Sequence, residues 1–220
     1  MLSELELEKC FSSMREAAQP EEVDVIKEAY LSGQAFQLAI QGLDWLKNSD
    51  VPFNELTHPR CIEVANTLKM LQGKHELDFT RMGISVLLGG SMLSDKPDKK
   101  GDIDLAVAGP AKWLENAQIL LHRILSEESR RYELDVHQVD PNDFKRYKNE
   151  NSGSNWAGAD RIYWTGFYAL QVLYWRPIIT HFSLVSYRKM ALEFLAENDL
   201  GAAVAYMNER YLLKKRGLVE

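Results

Sequence analysis

The chain has 220 residues, enough for one large domain or for a core with a helical appendage. Hydrophobic residues make up 45% and charged residues 26%, an ordinary globular composition that excludes a disordered chain. The formal net charge of −6 disfavours wrapping of extended DNA, which needs a basic surface, but leaves room for a nucleotide or an RNA end held by a local basic patch.

The two cysteines, Cys10 and Cys61, sit in helical apolar patterns without a CxxC or Cys/His companion, so buried free thiols are expected. Leu2 to Glu8 alternates acidic and apolar residues, unlike the basic-then-apolar opening of a secretory leader. No stretch reaches the ~18 uninterrupted apolar residues of a membrane helix. A cytoplasmic protein without a membrane partner is expected.

The first ~80 residues carry helical spacing. Ser3 and Glu6 fit a capping box ahead of Leu7, Cys10, Phe11 and Met14. Pro20 restarts the pattern, with Val23, Ile26, Tyr30 and Leu31 on one face, and Gly33 interrupts it. Phe36, Leu38, Ala39, Leu43, Trp45 and Leu46 continue at helical spacing, and a polar loop follows over 48–58. Pro59 opens another helix, with Ile62, Ala65, Leu68 and Met70 or Leu71 expected to face inward, and Gly73 ends it.

From Gly83 the pattern changes. Ile84 to Leu88 is a short apolar run closed by Gly89, Gly90 and Ser91, the length and flanks of a buried strand. A charged loop over 92–101 leads to a second strand, Asp102 to Val107. Gly109 and Pro110 start a helix with Trp113, Leu114, Ala117, Leu121, Ile124 and Leu125 on one face. Tyr132 to Val139 alternates strictly and predicts a third strand. Asn151 to Ser154 is a loop, residues 162–175 are aromatic-rich and fit helix or strand, and Ser186 to about Lys215 predicts two helices divided near Asn198 to Gly201.

Three carboxylates stand out. Residues i and i+2 of a strand project to one face, so Asp102 and Asp104 point together while Ile103 and Leu105 enter the core. Adjacent carboxylates repel each other, and a divalent cation turns that cost into binding, with oxygen ligands suiting Mg²⁺. Asp135 brings a third carboxylate if its strand pairs with the second. Glu133 shares the predicted face of Asp135, so the register decides between them. Upstream, glycines let a backbone approach a phosphate closely, and the Ser91 hydroxyl adds a donor.

A strand ending in Gly90-Ser91, a ten-residue spacer, a strand reading Asp102-x-Asp104 and a later isolated Asp135 strand resemble the nucleotidyltransferases of the DNA polymerase beta superfamily. The match covers 84–135. The resemblance implies an α/β (α+β) fold, with a small mixed-sheet nucleotidyltransferase core between N- and C-terminal helical regions. The expected segments are 1–82 helical, 83–150 the core, and 151–220 mainly helical. The resemblance further implies that Gly90 and Ser91 hold the triphosphate. Asp102, Asp104 and Asp135 would bind two Mg²⁺ (or Mn²⁺) ions, and Asp135 would help deprotonate the attacking hydroxyl. The partners implied are an NTP and an acceptor: a small molecule, an RNA terminus or a protein.

Blander readings stand beside these. Asp102 and Asp104 could end a loop at a solvated strand edge. His137 shares the Asp135 face and is expected as hydrogen-bonded scaffold. Lys96, Lys99 and Lys100 fit a solvated loop. Trp156, Tyr163, Trp164, Phe167, Tyr168, Tyr174 and Trp175 fit the core better than a base-stacking surface. Lys214, Lys215 and Arg216 suit a helix C-terminus. The functional alternatives are an inactive nucleotide-binding module and a helical interaction protein on the same scaffold.

Overall fold

The computed structural model describes residues 5, 8, 11–12, 20–48, 59–73, 78–90, 102–126, 130, 133–146 and 158–215. Ser91, the lysines of the 92–101 loop, Cys10 and Trp156 lie outside the described residues, as do most of the residues around the expected capping box. The described elements are α1 (Pro20–Leu31), α2 (Ala35–Asn48), α3 (Pro59–Gly73), β1 (Ser85–Leu88), β2 (Ile103–Ala108), α4 (Ala111–Ile124), β3 (Leu134–Val139), α5 (Asp143–Arg146), α6 (Gly158–Tyr174), β4 (Arg176–Ile179), α7 (Leu184–Glu197) and α8 (Asp199–Lys215). No helix among the described residues is long and apolar enough to cross a membrane.

The elements divide into two compact units interleaved along the chain. One comprises 50–141 and 174–187; the other comprises 1–49, 142–173 and 188–220. These boundaries differ from the consecutive segments 1–82, 83–150 and 151–220 expected from the sequence. The reason is packing: α3 buries its apolar stripe in the core of the sheet unit, and β4 hydrogen-bonds to β1.

The sheet unit holds a four-stranded mixed sheet in the order β3-β2-β1-β4. β1 is antiparallel to β2 and to β4, whereas β2 and β3 run parallel in continuous register from Ile103–Leu134 to Ala108–Val139. A parallel pair needs a crossover, and α4 supplies it. Its Leu114, Ala117, Leu121 and Leu125 pack with Ile103, Leu105 and Val107 of β2 and Leu134 and Val136 of β3. Gln118 of α4 donates to the Val136 carbonyl (3.0 Å) and accepts from the Gln138 side chain, tying helix to strand.

On α3 the buried stripe is Cys61, Val64, Ala65 and Leu68, while Ile62 and Met70 are 39% and 52% exposed. The expectation is corrected at Ile62, and of the alternatives Met70 and Leu71 it is Leu71 that packs against the core, which leaves Ile62 and Met70 outside it. At about 100° per residue, both fall well off the stripe that begins at Cys61. Leu31 is likewise exposed at 70%, although Val23 and Ile26 of the same helix are buried. Burial pushes the Cys61 thiol up to about 12, with a further contribution from the Asp104 charge, so it stays protonated and inert.

In the helical unit, α8 packs against α1 and α2. Buried residues include Val23 and Ile26 of α1, Ala35 and Ala39 of α2, and Leu200, Val204 and Met207 of α8. The aromatic-rich segment is helical through Tyr174, and the two C-terminal helices divide at Asn198, whose side chain accepts from the Gly201 amide (2.8 Å).

Glu209 of α8 is buried, and its Oε2 has no hydrogen-bond partner among the described residues. Burial raises its carboxyl from 4.5 to about 8, against the opposing influence of Arg210. A raised carboxyl pKa leaves stability untouched below 4.5, where both folded and unfolded chains are protonated. Stability is then lost as pH rises towards 8, because only the unfolded chain ionises freely. Glu209→Gln is therefore expected to match the parent near pH 4.5 and to exceed it above pH 8, by on the order of a few kcal/mol. Denaturation measured across that range checks this; a pH-independent difference would contradict it.

Candidate functional site

The site forms at the edge of the sheet where β1 ends and where β2 and β3 begin. On β2, Ile103, Leu105 and Val107 enter the apolar core, so Asp104 projects from the opposite face. Asp104 and Asp135 are Cα partners in the parallel register, which puts two acidic side chains at one level on neighbouring strands. Asp102 is half-buried and stands one residue before β2. Glu133 is exposed and lies just before β3, its carbonyl accepting from the Ile103 amide (2.8 Å).

Among the described residues, Asp104, Asp135 and His137 form a group whose ligand atoms all lie within 4.8 Å of one another. Asp102 and Glu133 are not members. The structure thus brings together two of the three carboxylates singled out in the sequence and adds His137. The period-two alternation already placed His137 on the Asp135 face, and that was the available signal. Its Nε2 lies 2.8 Å from Asp135 Oδ2, with the imidazole largely buried and Asp135 half exposed.

β1 ends directly against this group. The Gly89 amide donates to the Asp104 carbonyl (3.0 Å), continuing the antiparallel ladder. Gly90 follows with φ +77°, in the left-handed region where a side chain is strained. A Cβ there would fall 1.6 Å from Asp104 Oδ2, so the carboxylate occupies the space that glycine leaves open. A Cβ on Gly89 would fall 2.1 Å from the Trp175 ring. Trp175 in turn packs beside the His137 ring, with centroids 5.6 Å apart. Each glycine therefore has a steric reason: one admits the carboxylate and the other admits the indole.

The donor set suits a divalent cation. Two carboxylates placed side by side carry a repulsion that a bound cation removes, and an imidazole nitrogen is a further ligand. A metal there would be held by Asp104, Asp135 and His137. The expected triphosphate residues fare unequally: Gly90 adjoins the group, whereas Ser91 lies outside the described residues.

The Gly90 contact yields a controlled test. Gly90→Ala combines left-handed strain with the clash on Asp104, whereas Gly33→Ala, at φ +69° with nothing within 4 Å, carries the strain alone. The strain should cost about 1–2 kcal/mol at either position, and Gly90→Ala should cost roughly a further 1 kcal/mol or more. Chemical denaturation of both variants measures the difference; equal losses would mean that Asp104 is not held against Gly90.

Comparison with protein-family models, with curated proteins and with solved structures finds no match, so the likeness to polymerase beta type nucleotidyltransferases rests on the residues alone.

Proposed function

We propose that the protein is a divalent-metal-dependent nucleotidyltransferase, moving a nucleoside monophosphate from an NTP to an acceptor hydroxyl with release of pyrophosphate. The observation that carries the reading is the level placement of Asp104 and Asp135 on paired parallel strands, with the left-handed turn at Gly90 against the Asp104 carboxylate. Carboxylates in register beside a glycine turn are what a metal–triphosphate needs: anionic ligands for the cation, and a backbone stripped of side chains where the phosphates approach.

In this reading the acceptor oxygen bonds to the α-phosphorus, and the bond from that phosphorus to the bridging oxygen breaks. The electron pair leaves with pyrophosphate, and the hydroxyl proton passes to Asp135. A divalent ion supplies charge stabilisation for the attacking and leaving oxygens. Asp135 suits the proton-accepting role because it is half exposed and can meet an acceptor from solvent. Asp102, two residues before Asp104, is the candidate through which a second ion would be held. The acidic balance of the chain favours a small molecule, an RNA terminus or a protein as acceptor over extended DNA.

The test is incubation with each labelled NTP, Mg²⁺ or Mn²⁺, and a cell extract, followed by identification of the class of molecule labelled. Asp104→Asn should abolish labelling. At saturating metal, Asp135→Ala should keep NTP affinity within a few-fold and lower single-turnover rates by roughly 10²–10⁴-fold. Glu133→Ala, two residues earlier on the same face, should retain activity. Labelling that survives Asp104→Asn, or that needs no divalent ion, would contradict the proposal.

A further inference from the structure

An all-oxygen set of carboxylates and water selects hard ions, Mg²⁺ above all. The group formed here is different, because its third member is an imidazole. We propose that His137 is a ligand of the metal and makes the site selective for a six-coordinate first-row transition ion, Mn²⁺, over Mg²⁺. The inference rests on the same carboxylate site as the proposed function but makes a separate claim about it.

The geometry supports one ion shared by the three residues. For bonds of about 2.1 Å, neighbouring ligands of an octahedral ion stand ~3.0 Å apart and opposite ligands ~4.2 Å apart. The ligand atoms of Asp104, Asp135 and His137 all lie within 4.8 Å of one another, so small side-chain shifts bring them onto one ion, with the 2.8 Å hydrogen bond between Nε2 and Asp135 Oδ2 giving way to coordination by both atoms. Imidazole binds first-row transition ions well, whereas Mg²⁺ prefers oxygen and gives up water reluctantly.

A second observation points to a ligand at this place. Trp175 is only 4% exposed, and its indole Nε1 is buried with no hydrogen-bond partner among the described residues. An unsatisfied buried donor costs stability, and an acceptor supplied by a bound ligand would remove that cost. Gly89 is the cross-strand neighbour of Asp104, and a Cβ built on it would project to the Asp104 face and fall 2.5 Å from that nitrogen. The indole nitrogen therefore lies on the carboxylate face, with its ring beside His137. An oxygen on the bound ion, from water or phosphate, is the acceptor it lacks.

The experiment uses the full chain, stripped of metal by chelation and without nucleotide. Calorimetric titrations with Mn²⁺ alone and with Mg²⁺ alone give affinity and stoichiometry, and tryptophan fluorescence is followed alongside. The parent is expected to bind one Mn²⁺ tightly, roughly tenfold or more ahead of Mg²⁺. His137→Gln keeps an amide that can donate to Asp135 while removing the imidazole. It should lose Mn²⁺ affinity by roughly tenfold or more, with Mg²⁺ affinity changed only a few-fold. His137→Ala should show the same loss, so the conclusion does not hang on one variant that fails to fold. The chain has five tryptophans, so the Trp175 response is the difference between parent and Trp175→Phe; the variant should lose much of the Mn²⁺-induced quenching and still bind one ion. Equal Mn²⁺ affinity in parent and His137→Gln, or Mg²⁺ binding as tight as Mn²⁺, would overturn the role of His137 and leave the nucleotidyltransferase reading standing. Absence of any divalent binding in the parent would overturn both.

Discussion

The pairing of β2 with β3 in parallel register is the constraint on which the candidate site depends. Parallel strands hold residues of equal rank side by side, so the match of Ile103 with Leu134 also sets Asp104 beside Asp135. A shift of one residue would turn one of the two carboxylates towards the apolar core; a shift of two would substitute Glu133 or His137 for Asp135. What fixes the register is burial: Leu134 and Val136 reach the same core as Ile103, Leu105 and the inner stripe of α4. The acidic pair is thus a consequence of how the apolar faces fit. The stability of the core holds together a charge arrangement that would otherwise drive its members apart.

Gly89, Gly90 and Trp175 extend the same logic across β1. The ladder between β1 and β2 brings the end of β1 to the level of Asp104, and the two glycines leave space there that the Asp104 carboxylate and the indole fill. β4 then delivers Trp175 one residue before its own first strand residue. Side chains that form the site come from three separate stretches of the chain, and backbone pairing alone is enough to assemble them.

Much of this was legible in the sequence. β1, β2 and β3 fall within two residues of their expected positions, since short apolar or alternating runs between turn residues have few other ways to bury themselves. The crossover helix was equally plain, with Leu114, Ala117 and Leu121 at helical spacing and buried as expected. β4 was not legible, because four residues including Pro177 follow a long helix without a turn signal, and only pairing with β1 makes them a strand. On α3, Cys61, Ala65 and Leu68 are buried as expected, but its apolar residues lie on more than one side, and tertiary packing takes Val64 inside and leaves Ile62 out. Period two placed Glu133, Asp135 and His137 on one face but could not say which would meet Asp104; that depends on pairing between segments some thirty residues apart. Nor could alternation reveal that His137 and the distant Trp175 would share one corner.

The proposed metal site requires that Asp104, Asp135 and His137 together bind a divalent cation. Diffraction from crystals soaked in Mn²⁺, with data collected on either side of the manganese absorption edge, tests it most directly. An anomalous peak is expected within about 2.5 Å of a carboxylate oxygen of Asp104, a carboxylate oxygen of Asp135 and a ring nitrogen of His137. A fully soaked crystal with no peak there, and with His137 Nε2 still hydrogen-bonded to Asp135, would contradict it.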